Sequence, residues 1–282
     1  MNLKIRRAQN KMFEFLFILA LSIAMLVLLV LLVQIVIDAL PRLSMQFVTS
    51  FPSSEPSEAG IYPALIGTLY VIGIMTPIAF FIGTGAAIYL EEFSKKNALN
   101  SFIQLNIRTL AGVPSIVYGI LGLTIFVRGA EFGASLISGA FTMTLLVLPI
   151  IIVAAQEAIR AVPRARREAA LALGATKWQT VARAVLPSAV PGILTGMILA
   201  VSRAIGETAP LIMIGAFTFV AFLPESLTDS FTVLPIQFFN WIARPQDEYH
   251  ELAASGILIL LLVLISLNIT AVWLRNKYQK RI

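Results

Sequence analysis

Arg203 and Glu207 stand four residues apart in a stretch, 189–222, that carries no other charge. An arginine near the centre of a bilayer costs at least about 3 kcal/mol, so such a residue is kept where it faces a cavity, a partner group or a ligand. One helical turn puts both side chains on a common face. A guanidinium offers a planar fork of donors that matches the oxygens of phosphate or sulfate. Arg203 therefore reads as an anion contact in a polar path, with Glu207 orienting it or pairing with it when no anion is bound. The other reading is a salt bridge that only neutralises itself. Acid before base is the better order at this spacing, and here the base comes first, which argues mildly against it. A second polar group, Pro114, Ser115 and Tyr118, lies in another apolar run. It either lines the same path or marks a helix break satisfied by a hydroxyl.

Other chemistry is scarce. The chain has no cysteine, which excludes disulfides, thiolate zinc sites and iron–sulfur clusters. His250, the one histidine, reads as an ordinary surface residue. There is no G-x-x-x-x-G-K-[ST] phosphate cradle; Gly174-Ala-Thr-Lys177 lacks the spacing. No catalytic residue, metal or cofactor is expected in this chain, and any energy source must sit on a partner.

The elements that hold these residues are set by composition. Of 282 residues, 58% are hydrophobic and 13% charged, far from a soluble domain. The apolar runs are continuous rather than alternating, which argues for helices and against a β-barrel. The expected fold is an all-α integral membrane protein with about six transmembrane helices, near 13–39, 63–90, 107–127, 134–156, 189–222 and 252–274. The first run follows Lys4, Arg6, Arg7 and Lys11 but is too long for a signal sequence. Residues 1–62 then form an inner segment, a first span and an outer loop, and 63–282 the remaining spans. The fifth run has 34 residues, about 50 Å as one helix, so a kink or break is expected at Pro210 and Gly215. Within it Gly192, Gly196, Ala200, Ala204 and Thr208 form a small-residue stripe, suited to close approach of another helix in a pore between two subunits. Of 21 basic residues, 17 fall on inner segments if both termini are inside, which sets the orientation as N-in and C-in. The net charge of +6 then marks a face against anionic membrane lipid and not nucleic-acid binding. The outer loops are acidic, which suits either an external partner or simple solubility. A short outer helix is expected within 234–249, and Trp178, Trp241 and Trp273 read as interfacial anchors.

The inner loop at about 156–187 is long for a membrane connection. Ala, Leu, Arg and Glu dominate 163–173, with Pro163 suited to a first turn and Gly174 to a C-terminal cap. A second short helix from Lys177 should stop at Pro187. On physical grounds this helix–Gly–helix elbow could lie on lipid.

Its residues Glu168-Ala169-Ala170, then Gly174, then Ala184-Val185-Leu186-Pro187 resemble the EAA loop of ABC-importer permeases, with Ala184 where the family has Ile. The run at 202–211, Ser-Arg-Ala-Ile-Gly-Glu-Thr-Ala-Pro-Leu, resembles a signature of the phosphate-specific members. So does 110–120, Leu-Ala-Gly-Val-Pro-Ser-Ile-Val-Tyr-Gly-Ile, and the ending Thr-Ala-Pro-Leu is similar to the A-type permease subunit. The resemblance implies a type I ABC-importer permease fold in the bacterial cytoplasmic (inner) membrane. It implies a second, C-type permease, a dimer of ATP-binding subunits carrying ATP and Mg, and an extracytoplasmic phosphate-binding protein. Arg167, Glu168, Ala169, Ala170, Gly174 and Lys177 would couple to the ATPase, and Arg203, Glu207, Thr208, Ser115 and Tyr118 would border the substrate path. Sulfate and molybdate permeases share the EAA loop and a related Arg-Ala-x-Gly-Glu run, and remain the alternative. A secondary transporter would show inverted repeats, and 1–130 and 131–282 share no visible similarity.

Overall fold

The computed structural model describes residues 3–95, 97–216 and 219–279, and every regular element among them is helical. Lys96, Lys280 and Arg281, counted above with the inner basic residues, lie outside the described residues. Five helices are long and apolar enough to cross a membrane, and a bent pair makes a sixth. They are α1 (Leu3–Ala39), α3 (Tyr62–Ile88, continued by a π turn Tyr89–Phe93), α6 (Leu136–Arg160), α9 (Leu186–Ile205) and α12 (Asp247–Gln279), with α4 (Ala98–Leu110) and α5 (Ser115–Gly122) as the bent pair. A short α2 (Met45–Thr49) and α11 (Leu234–Ile242) lie at the outer side.

The centre is built from α3, α6 and α9, and small residues let them approach. A Cβ on Gly192 would stand 2.8 Å from the Cβ of Ala158, and one on Gly196 would fall still closer to Ala154. The helix that the small-residue stripe of α9 admits is α6 of the same chain, at Gly192 and Gly196. On another face α9 is pinned to α12. Ser202 donates to Asn268 Oδ1 at 2.7 Å, and Arg275 donates to the Thr195 hydroxyl at 3.0 Å. Both pairs sit seven residues apart on their helices, so two-turn spacing gives an antiparallel polar zipper. In contrast, α1 is exposed along its spanning stretch. It is tied to α12 at its outer end by Ser255 donating to Ala39 O and by Arg42 against Glu251 at 3.0 Å.

Two boundaries differ from expectation. The third span is not one helix over 107–127: α4 and α5 meet at 106°. Pro114 disfavours helical backbone at Val113, and its own ψ is 136°. The fifth run, where a kink or break is expected, breaks: it ends after Ile205 and restarts as α10 (Ala209–Met213). Pro210 has no N–H for the carbonyl of Gly206, and its ring crowds that carbonyl. Gly215, at φ +87°, closes α10 in a conformation that only glycine adopts easily. Conversely, Pro187 stops nothing. α8 (Lys177–Thr180), a π turn Val181–Val185 and α9 form one 29-residue helix. In the π turn the amide of Leu186 reaches back to Val181 O, just before the proline that has none to donate.

Outside, 219–233 returns without regular structure. Its carbonyls at Leu227 and Asp229 accept the first amides of α6, and Phe231 is buried over Gly139. The Asp229 carboxylate accepts the Ser226 hydroxyl and the amides of Ser226 and Glu225, which holds its pKa below the ordinary carboxylate value. The expected outer helix is α11, but it is packed inward on α3 and α12. Trp241 is 2% exposed, between Phe47 and Phe238, and is a core residue rather than an interfacial anchor. Trp178 and Trp273 are exposed.

Gly196→Leu should wedge α9 off α6 and cost about 1–3 kcal/mol, seen as a lower melting temperature in detergent. A Cβ at Gly73 meets nothing within 4 Å; Gly73→Ala should raise stability by roughly 0.5–1 kcal/mol through helix propensity, seen as an equal or higher melting temperature.

Candidate functional site

The contacts of Gly192 with Ala158 and of Gly196 with Ala154 fix an antiparallel register between α9 and α6. Carried forward, it sets Arg203 level with Val147, near the middle of the 25-residue α6. Arg203 thus stands in the last turn of a helix that ends at mid-depth. The negative end of the α9 dipole favours a cation there. Arg203 Nε lies 3.6 Å from Glu207 Oε1, an ion pair too long for a hydrogen bond. The arginine side chain is 53% exposed and the glutamate 20%. Leu199, Arg203 and Gly206 are all exposed and follow one another at helical spacing, so they form an open strip on α9.

Thr208 is half-buried and its carbonyl accepts the amides of Leu211 and Ile212, starting α10. α10 lies on α5 with no room for a side chain between them. A Cβ on Gly119 would be 2.7 Å from the Met213 Cβ and 2.8 Å from the Pro210 Cα. The two interrupted spans therefore meet at their breaks, and α5 brings Ser115 and Tyr118 to the segment that follows Glu207. Ser115 is half-buried at the start of α5. Tyr118 is buried, and its hydroxyl donates to Leu110 O at 2.8 Å. That carbonyl belongs to the last turn of α4, where helical partners run out. Of the two readings for Tyr118, the geometry fits the helix break satisfied by a hydroxyl.

At the inner face the elbow takes its expected form. α7 (Arg164–Ala172) follows Pro163, Gly174 turns the chain at φ +83°, and Thr176 opens α8 with a reciprocal capping box to Gln179. Glu168, Ala169, Gly174 and Lys177 are exposed and Ala170 is half-buried. Leu171, Trp178 and Leu173, the last 89% exposed, make the tip apolar. Arg167, unlike Glu168 beside it, turns inward. Its guanidinium donates to Glu92 Oε1 at 2.8 and 3.1 Å, to Ile159 O at 2.8 Å and to Val162 O at 2.7 Å. Beside it Arg160 pairs with Glu91, donates to Glu157 at 2.9 Å and reaches Gln104 on α4 at 3.2 Å. Glu91, Glu92, Arg160 and Arg167 line a cavity of about 530 Å³ under the elbow. Glu91, Glu92 and Arg160 were not singled out from sequence; two acids closing an apolar run on the basic side were the available signal. Among the described residues no group of acids or histidine could hold a metal ion.

Residues 79–282 match the family described as binding-protein-dependent transport system inner membrane component. The chain is 31% identical to a probable ABC transporter permease protein, YqgI, of Bacillus subtilis over 98% of each. It is 30% identical to the phosphate transport system permease protein PstA of Haemophilus influenzae, covering 94% of this chain and 93% of that one. Among solved structures it superposes on a chain of a bacterial alginate ABC transporter with a TM-score of 0.69 at 14% identity, covering 94% of both. It also superposes on a chain of the MetNI methionine ABC transporter with a TM-score of 0.62 at 17% identity, covering 80% of this chain and 99% of that one. The fold is that of the type I ABC-importer permeases.

Tyr118→Phe should leave the helices intact and the Leu110 carbonyl with the Val113 amide as its one remaining donor, lowering stability by about 0.5–1.5 kcal/mol in a thermal melt of the purified protein.

Proposed function

Because this chain belongs to the binding-protein-dependent transport system inner membrane components, we propose that it is the transmembrane permease subunit of an ATP-driven inorganic phosphate importer. The observation that carries this reading is Arg203, held at mid-depth in the last turn of α9 on an open strip, in a chain close in length and sequence to phosphate permeases. The strip of Leu199, Arg203 and Gly206 would face a second, C-type permease, and the anion path would run between them. A phosphate passing this level can take the outward donors of the guanidinium, because the Glu207 contact at 3.6 Å is loose. When the anion leaves, Glu207 recovers Arg203 and limits the cost of a bare cation at that depth. Binding at the site must stay weak enough for release. Thr208 and Ser115 border the same segment, and Tyr118 keeps the bend that brings α5 there.

The chain supplies no ATP site of its own. Glu168, Ala169, Ala170, Gly174 and Lys177 on the exposed side of the elbow would seat in a groove of an ATP-binding subunit, a helix-in-groove contact, with ATP and Mg on that partner. An extracytoplasmic binding protein would deliver phosphate to the outer loops. The setting is the bacterial inner membrane with both termini inside.

Uptake of labelled phosphate by the reconstituted complex tests the reading, with sulfate and molybdate as competitors. Wild type should take up phosphate, and Arg203→Gln should assemble with its ATPase yet lose about 10-fold or more of the uptake, in line with the loss of a charge-assisted contact. Normal uptake by the variant would make Arg203 a structural ion pair. Uptake of another oxyanion in place of phosphate would overturn the substrate alone.

A further inference from the structure

Resting on the permease reading above, we propose that Arg167 is a positioning residue that fastens the coupling elbow to the inner ends of the spans, so that a push on the elbow moves them together. Three observations support this. First, α7 has no buried residue, so apolar packing does little to hold it. Second, its inward links are polar and adjacent: Arg166 donates to Ser188 at the start of α9, and Arg167 donates to α3 and α6. Third, Arg167 binds carbonyls at and just past the end of α6. Ile159 O, in its last turn, has the Val162 amide at 3.3 Å as its other donor, and Val162 O follows the helix; both lie at the negative end of the dipole. Glu92 closes the π turn at the end of α3.

The planar fork is what allows one side chain to reach three groups on two spans; an ammonium offers a point charge without that geometry. The neighbouring pair, Glu91 with Arg160, ties the same two spans to each other and, through Gln104, to α4. Consecutive acids on one π turn thus hold two arginines, one in α6 and one in the elbow. Arg167 is directed to the body of its own subunit, whereas Glu168 beside it is exposed to a partner. The two neighbours divide the work of receiving the motion and passing it on.

The test uses the complete complex in proteoliposomes, with Arg167→Gln, Arg167→Lys and Glu92→Gln. Retention of the ATP-binding subunit, ATP hydrolysis stimulated by the loaded binding protein, and phosphate taken up per ATP are measured for each. Arg167→Gln should keep the subunit and hydrolyse ATP near the wild-type rate while uptake per ATP falls, by roughly 3- to 30-fold for coupling changes of this kind. Arg167→Lys and Glu92→Gln should fall in between. Wild-type uptake per ATP in Arg167→Gln would overturn the proposal. So would loss of the ATP-binding subunit in all three variants, which would make Arg167 a docking or folding residue instead. If the wild-type complex moves a different anion, the same ratio measured with that anion still decides the role of Arg167, and only the substrate reading falls.

Discussion

In hydrocarbon every backbone N–H and C=O must find a partner inside the protein, and the central architecture follows from how this chain meets that demand while breaking two of its spans. At the break between α4 and α5 the Leu110 carbonyl loses its regular helical partner and is covered by the Val113 amide and the Tyr118 hydroxyl. The break after Ile205 is covered by a short α10 whose first carbonyl takes two amides. The two breaks are stacked on one another through Gly119. Interrupted backbone is thus confined to one zone at mid-depth, and that zone carries Arg203, Glu207 and Thr208. A continuous α9 would have carried Arg203 into the middle of a helix, with nothing to turn the chain at Gly206.

Much of this was legible in the residues. Continuous apolar runs locate the spans, basic residues orient them, and Pro163 with Gly174 outlines the elbow. The breaks were visible only as possibilities. Pro114 and Pro210 sit in runs whose hydrophobicity does not change across them, so composition gives no sign of whether the helix bends, stops or carries on. Pro187 shows the converse, because a π turn absorbs it. The small stripe of α9 was legible as a contact face, but whether α6 or another subunit fills it depends on a register that no local pattern encodes. Trp241 is a similar case: an aromatic between two apolar spans looks interfacial until α11, which carries it, packs against α12 and beneath Phe47 of α2.

The inner network was the least legible part. Arg167 and Glu92 are 75 residues apart in sequence, and the elbow pattern draws attention to charges as partner contacts. Only the fold reveals that Arg166 and Arg167 bond to their own subunit. Side by side, the exposed and the inward faces of α7 give the elbow two distinct surfaces, one polar and fastened, one open.

That open surface has a consequence before any transport begins. Leu171, Leu173 and Trp178 project into water from an inner-face loop, and an apolar patch in water invites non-specific association. A copy made in excess of its cytoplasmic partner would carry this adhesive tip bare, and the hydrophobic surface that signals a misfolded protein is the same surface. On the reading proposed above, assembly would conceal the tip, and a copy left without its partner would be prone to clump through it.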